Sequence, residues 1–85
     1  LLIDVREPEE FALGHLPDSR LLPLRDLVAA VDELPRDRPI FLVSRSGRRS
    51  TRAMRLFVDV GYEEVFNLKG GILSWKARGR PLEVD

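Results

Sequence analysis

The residues best suited to chemistry are the seven of Ser44–Ser50, Ser-Arg-Ser-Gly-Arg-Arg-Ser, which follow an apolar run and precede a helix-patterned segment. A tight loop between a buried strand and a helix directs successive backbone N–H groups at one point, where the helix dipole adds partial positive charge. This arrangement predicts a binding site for a small oxyanion such as phosphate, sulfate or thiosulfate. The residues expected to form it are Arg45, Ser46, Gly47, Arg48 and Arg49, the three arginines supplying positive charge.

Ser44 occupies the position where a nucleophile would face the bound anion, directly after the strand. A serine hydroxyl has no ionisation in the usual pH range, so it becomes a nucleophile only beside a general base. His15 is the single histidine, and for it we favour a turn-stabilising hydrogen bond. The sequence therefore argues against a hydrolase built on Ser44 and His15.

The composition excludes several classes of function. There is no cysteine among the 85 residues, which rules out disulfides, thiolate metal sites and thiol chemistry in this polypeptide. The net charge is zero, yet residues 1–35 carry eight acidic groups and three arginines, whereas residues 36–55 carry seven arginines and one aspartate. The positive field thus centres on the loop, with Arg52 and Arg55 expected on a solvated helix face. Without net positive charge or an interleaved aromatic platform, nucleic-acid binding is disfavoured.

The length and hydropathy favour one small domain covering residues 1–85. No stretch approaches the roughly 18 apolar residues of a membrane span, and the first residues lack the basic region of a signal peptide. We therefore expect a cytoplasmic protein that does not associate with membranes. No metal and no cofactor are expected.

Apolar runs alternate with helical patterns, which predicts parallel β/α units. The predicted strands are Leu1–Val5, Leu21–Leu24, Ile40–Val43 and Glu64–Leu68. The predicted helices are a short one from Pro8, one capped by Asp26 and stopped by Pro35, one ending before Gly61, and one through Ile72 to Trp75. The continuous apolar run Ile40–Val43 favours a central strand. If the helix after it begins at Ser50, the anion-binding loop has six residues, Ser44–Arg49.

Asp4 and Arg6 lie where the first strand ends, which is the edge at which parallel sheets place ligands. Two roles are open to them. We favour an internal ion pair that orders the loop over direct contact with a substrate.

Several motifs, taken in order, resemble those of rhodanese-homology (rhodanese-like) domains of the single-domain type. The first signature of that family resembles Asp4–Glu7, Glu10–Phe11 and Gly14–Pro17. Its active-site loop and C-terminal half resemble Ser44–Ser50, Gly61–Tyr62, Asn67–Gly71, Trp75 and Gly79–Pro81. The resemblance covers essentially the whole chain, and it implies an α/β fold with a small parallel sheet flanked by helices on both faces.

The chain departs from the family's pattern at Ser44, where its sulfurtransferases have a cysteine that receives a sulfane sulfur as a persulfide. A serine forms no persulfide, so the resemblance leaves two interpretations open. Either Ser44 is natural and the domain is a non-catalytic anion-binding module, or Ser44 replaces the catalytic cysteine of a thiosulfate or persulfide sulfurtransferase. The six-residue loop resembles sulfurtransferases more than the related phosphatases, whose loop is one residue longer, and so favours a small sulfur-containing oxyanion.

A second departure concerns the start of the chain, because family members usually have a strand and a helix before the strand that ends in Asp4. A compact variant, a shortened chain, or cover supplied by a partner or a preceding domain would each account for it. An uncovered sheet edge or face favours association. We therefore expect self-association or a protein partner at this N-terminal side.

Overall fold

A computed structural model describes residues 1–84. Within these residues the order of elements is β1 (Leu2–Asp4), α1 (Pro8–Ala12), β2 (Arg20–Leu21), α2 (Leu24–Ala30), a 3₁₀ turn (Val31–Glu33), β3 (Ile40–Val43), α3 (Arg48–Asp59), β4 (Val65–Asn67) and α4 (Gly71–Ala77). The strands form a parallel sheet in the order β2-β1-β3-β4, which confirms the predicted α/β fold. None of the described helices is long and apolar enough to cross a bilayer.

Helices cover both faces of the sheet, as predicted, because the side chains of β3 alternate between two apolar clusters. Ile40 and Leu42 are fully buried in the larger cluster, with Leu27 of α2 and Phe57 of α3. Val43 points to the opposite face and packs with Ile72 of α4. The helices that flank β3 are therefore held against it from both sides.

The strand register brings the functional residues to one edge of the sheet. Asp4 pairs with Val43 across β1 and β3, and Leu42 pairs with Asn67 across β3 and β4. All three strands run in the same direction, so their carboxyl ends meet there. Asp4, Asn67 and the residue after Val43, which is Ser44, thus lie along the same edge.

The predicted strand Leu21–Leu24 is wrong at both ends, since β2 covers Arg20–Leu21 and Leu24 already begins α2. Pro23 is the physical reason. It has a φ of −52° and stands at the N-cap of α2, where its carbonyl accepts the N–H groups of Asp26 at 2.9 Å and Leu27 at 3.0 Å. Asp26 is therefore in the first helical turn, and its predicted capping role is also wrong.

One apolar surface remains at the N-terminal side of the sheet. The rings of Phe41 and Phe66 stack with centroids 5.1 Å apart, and the two residues are 46% and 48% exposed. The N–H of Phe41 donates to the carbonyl of Leu1 at 2.8 Å, so this pair lies beside the first residue. Self-association at this side stays a prediction.

Candidate anion-binding site

The loop after β3 is shorter than predicted, because α3 begins at Arg48 and the expected start at Ser50 is wrong. Gly47 permits the early start: it caps α3 with a φ of +103°, a left-handed conformation that glycine adopts without strain. Its carbonyl accepts the N–H of Thr51 at 3.1 Å and begins the helical ladder. The segment Ser44–Arg49, called the anion loop below, therefore combines four loop residues with the first two of α3.

Ser44 forms the floor of the anion loop and is 1% exposed. Its Oγ accepts the backbone N–H groups of Gly47 at 3.1 Å and Ser50 at 3.2 Å, and it lies 3.0 Å from the Oγ of Ser50. The Ser50 hydroxyl lies closer to Asn67 Oδ1, at 2.5 Å, and donates there. Because the one hydrogen of the Ser50 hydroxyl is used there, the bond between the two serine hydroxyls is donated by Ser44 and accepted by Ser50 Oγ.

These three hydrogen bonds use the full hydrogen-bonding capacity of the Ser44 hydroxyl. A hydroxyl has one hydrogen to donate and two lone pairs to accept with. The hydrogen goes to Ser50 and both lone pairs receive backbone N–H groups, so none of the partners of Ser44 is a general base. His15 bonds the carbonyl of Phe11 through Nδ1 at 3.0 Å and stacks on that ring, which is the turn-stabilising arrangement expected.

Besides the N–H group of Ser44, which also lacks an acceptor, four backbone N–H groups of the anion loop donate to no oxygen within residues 1–84. They belong to Arg45, Ser46, Arg48 and Arg49. Those of Arg48 and Arg49 lie in the first turn of α3, where no preceding helical carbonyl exists to accept them. A cavity of about 270 Å³ opens beside these groups, and its lining is Ser44, Arg45, Ser46, Arg48, Arg49 and Arg52.

The first turn of α4 holds the carbonyl groups of the same loop. The N–H groups of Ile72 and Leu73 donate to the carbonyls of Ser44 and Arg45, at 2.9 and 3.0 Å. Gly71 makes this approach possible, because a Cβ at that position would lie 2.2 Å from the carbonyl oxygen of Ser44. Two carbonyls of the loop are therefore bonded to α4, while the N–H groups of Arg45, Ser46, Arg48 and Arg49 have no acceptor within residues 1–84.

The arginines of the anion loop differ in their partners. Arg45 and Arg48 are exposed and form no ion pair within residues 1–84. Arg49 instead makes two bonds to the carboxylate of Glu10, at 2.6 and 2.9 Å. Its predicted contribution of free positive charge is therefore balanced by Glu10. Arg52, expected only on a solvated face, lines the cavity in addition.

Glu10 links α1 to the anion loop. Its hydrogen bond from the Arg49 guanidinium lowers the pKa of the Glu10 carboxyl from 4.5 to about 2, and the same bond raises the pKa of Arg49. Oε1 of Glu10 also accepts the N–H of Glu7 at 3.0 Å, as part of a capping box at the start of α1. The short helix α1 is thereby attached to the first turn of α3.

The predicted ion pair between Asp4 and Arg6 is present and buried. Arg6 Nη2 lies 2.8 Å from Asp4 Oδ2, and Arg6 Nε lies 3.0 Å from both carboxylate oxygens. Nη2 also donates to the carbonyl of Gly14 at 2.8 Å. The pair fixes the turn after α1, and neither residue lines the 270 Å³ cavity.

Sequence reasoning did not assign a role to Asn67 or Glu10. Asn67 receives the Ser50 hydroxyl at Oδ1, and its Nδ2 donates to Thr51 Oγ1 at 2.9 Å, so it supports the floor of the loop. Its place at the end of β4 was the available signal, because strand ends of a parallel sheet share one edge. Nothing in the sequence pairs Glu10 with Arg49, which lies 39 residues away.

Comparisons with known proteins agree with this geometry. The family model for the rhodanese-like domain matches residues 1–78. A sulfurtransferase from Allochromatium vinosum is 40% identical over 82 residues, which are 96% of this chain and 77% of that protein. The thiosulfate sulfurtransferase GlpE from Vibrio cholerae is 29% identical, over 99% of this chain and 79% of its own length.

The comparison with solved structures supports the same family. A crystal structure of a rhodanese-related protein from Thermoplasma volcanium matches with a TM-score of 0.92 and 30% identity, over 99% of this chain and 83% of that one. The parallel sheet and the loop at its carboxyl edge therefore define a protein with the rhodanese-like α/β fold. The chain belongs to the rhodanese-like domain family.

The contact between Gly71 and the anion loop predicts a large cost for Gly71→Ala. A left-handed alanine costs roughly 1–2 kcal/mol. Overlap of the new Cβ with the Ser44 and Arg45 carbonyls adds roughly 1–3 kcal/mol. Gly79→Ala is the matched control, because Gly79 also has a positive φ, +71°, but no atom within 4 Å of an added Cβ. Urea unfolding should show that the free energy of unfolding falls by about 2–5 kcal/mol for Gly71→Ala and by about 1–2 kcal/mol for Gly79→Ala. Equal losses for the two variants would contradict the close contact.

The lowered pKa of Glu10 predicts a pH-dependent stability. Because the pKa is depressed in the folded state, the carboxylate stabilises the protein fully above pH 4.5 and loses that effect as the pH falls toward 2. Thermal unfolding should therefore show Glu10→Gln below the parent in Tm at neutral pH, with the gap closing toward pH 2. Glu9→Gln is the control, because it changes a neighbouring exposed carboxylate that has no arginine bond within residues 1–84. A gap for Glu10→Gln that is independent of pH would refute the ion pair.

Proposed function

We propose that this chain binds a small sulfur oxyanion, thiosulfate or sulfate, in the anion loop and does not transfer its sulfur. The observation that supports binding is the set of four unpartnered backbone N–H groups beside one cavity. Arg45 and Arg48 add positive charge that no carboxylate within residues 1–84 neutralises. Charge-assisted hydrogen bonds to oxyanions are roughly twice as strong as neutral ones, so this combination favours a small anion.

The absence of transfer follows from the chemistry of Ser44. In the members of this family that have a catalytic cysteine, a thiolate attacks the sulfane sulfur of thiosulfate, a new S–S bond forms, and sulfite leaves with the electron pair of the broken S–S bond. A serine hydroxyl does not ionise at neutral pH and forms no persulfide. The Ser44 hydrogen is also donated to Ser50 rather than to a base.

A second candidate function is sulfur transfer by a protein whose catalytic cysteine has been replaced by Ser44. The surroundings of Ser44 favour it, because the N–H groups of Gly47 and Ser50 converge on the side-chain oxygen. Hydrogen bonds of this kind to the charged form of a side chain lower its pKa, which is how a helix N-terminus activates a thiol. The relatives named as sulfurtransferases support it also.

Several wider expectations remain predictions at this stage. They are a cytoplasmic location, a single domain over residues 1–85, and a protein partner or a second copy at the N-terminal side. Neither nucleic acid nor membrane is expected as a partner.

The formation of thiocyanate from thiosulfate and cyanide tests the proposal, with the parent, Ser44→Cys and Ser46→Cys measured side by side. We expect the parent to match the buffer rate and Ser44→Cys to turn over, because the new thiol takes the place of an oxygen that already receives two N–H groups. Ser46→Cys is the matched control, since it adds a thiol to an exposed residue of the same loop.

The possible outcomes separate the claims. Turnover by the parent would overturn the proposal that Ser44 prevents transfer. Inactivity of Ser44→Cys would show that the loop lacks more than its thiol. Equal activity of Ser44→Cys and Ser46→Cys would show that the floor of the loop is not the reacting position.

A further inference from the structure

A second cavity, of about 510 Å³, adjoins the anion loop. It shares Ser46, Arg48 and Arg52 with the 270 Å³ cavity, so the two spaces meet across these side chains. This second cavity is open to solvent, so a ligand bound there would keep part of its surface exposed. An ion of the size of thiosulfate, bound in the anion loop as proposed above, would not extend into this adjoining cavity.

The adjoining cavity is lined by positive charge without a balancing negative charge. Arg48, Arg52 and Lys69 contribute to its wall, which contains no aspartate and no glutamate. None of these three cations forms an ion pair within residues 1–84. A ligand whose second anionic group reaches this space would therefore meet cations that are free to pair with it.

Two neutral polar side chains of the cavity, Thr51 and Asn67, are bonded to each other. Thr51 Oγ1 donates to the carbonyl of Gly47 at 2.6 Å and accepts from Asn67 Nδ2 at 2.9 Å. Recognition in this space is therefore assigned to the cations. Of the three cations, only Lys69 lines the adjoining cavity without also lining the 270 Å³ cavity. A substitution of Lys69 therefore tests the adjoining cavity without changing a residue that lines the other one.

We propose that the adjoining cavity binds the carboxylates of an organic thiosulfate, a compound R–S–SO₃⁻ in which R carries carboxylate groups. The sulfonate would occupy the anion loop, and the carboxylates would pair with Lys69 and Arg52. This inference rests on the proposed function, because it places the sulfur oxyanion in the anion loop. It adds the class of ligand: a thiol-derived S-sulfonate with an anionic tail rather than inorganic thiosulfate alone.

Three probes test this ligand class by calorimetric titration of the parent chain at low ionic strength. S-sulfoglutathione has the sulfonate head and two carboxylates in its tail, 2-hydroxyethyl thiosulfate has the same head with a neutral tail, and inorganic thiosulfate has no tail. We expect S-sulfoglutathione to bind roughly 3- to 10-fold more tightly than 2-hydroxyethyl thiosulfate, as two exposed ion pairs supply. Added salt should narrow that ratio.

Lys69→Gln supplies the matched variant, and Lys76→Gln, at an exposed lysine of α4 outside both cavities, is its control. Lys69→Gln should reduce the preference for the carboxylated tail, whereas its effect on the affinity for inorganic thiosulfate should be no larger than that of Lys76→Gln, which removes the same charge. Lys76→Gln should retain the preference. A full preference in Lys69→Gln would overturn the assignment.

The probes also distinguish failure of this inference from failure of the proposed function. Binding of thiosulfate with equal affinity for the two S-sulfonates would overturn the adjoining cavity as a site while the anion loop stands. Binding of none of the three probes would overturn the proposed function, and this inference with it. Tighter binding of S-sulfoglutathione, lost in Lys69→Gln, is the result that supports both.

Discussion

The site depends on one contact, in which the first turn of α4 donates two N–H groups to the carbonyls of Ser44 and Arg45. A peptide loop presents both carbonyls and N–H groups, and an anion is repelled by the first and attracted by the second. Bonding the carbonyls to α4 removes that competition. The price of the contact is a glycine at position 71, because no side chain fits between the helix and the loop.

The charges around the loop divide into those that hold the structure and those left for a ligand. Arg6 is buried against Asp4 and also bonds the carbonyl of Gly14, and Arg49 is bonded to Glu10, so each arginine joins two segments of the chain. Arg45 and Arg48 have no such partner within residues 1–84 and remain exposed beside the cavity. Acidic residues of the N-terminal third therefore neutralise some of the arginines. The arginines without such a partner maintain a positive field at the loop.

The sequence was sufficient for the fold class, the central strand Ile40–Val43 and the position of the anion loop, because these depend on apolar periodicity and on glycine. It was insufficient at Pro23 and Gly47, where a proline cap and a left-handed glycine place the helix starts three and two residues earlier than predicted. The pairing of Arg49 with Glu10 also could not be predicted from the sequence, since it joins residues 39 positions apart. Local patterns specify elements, whereas such contacts depend on how the elements pack.

The central claim is that the four unpartnered N–H groups of the anion loop bind an oxyanion. A titration with sulfate, followed through backbone ¹H–¹⁵N resonances, tests it most directly. The account predicts saturable shifts that are largest at Arg45, Ser46, Arg48 and Arg49, with smaller shifts at Gly47 and Ser50, whose N–H groups already donate to Ser44. Saturable shifts elsewhere in the chain, with these four resonances unmoved, would contradict it.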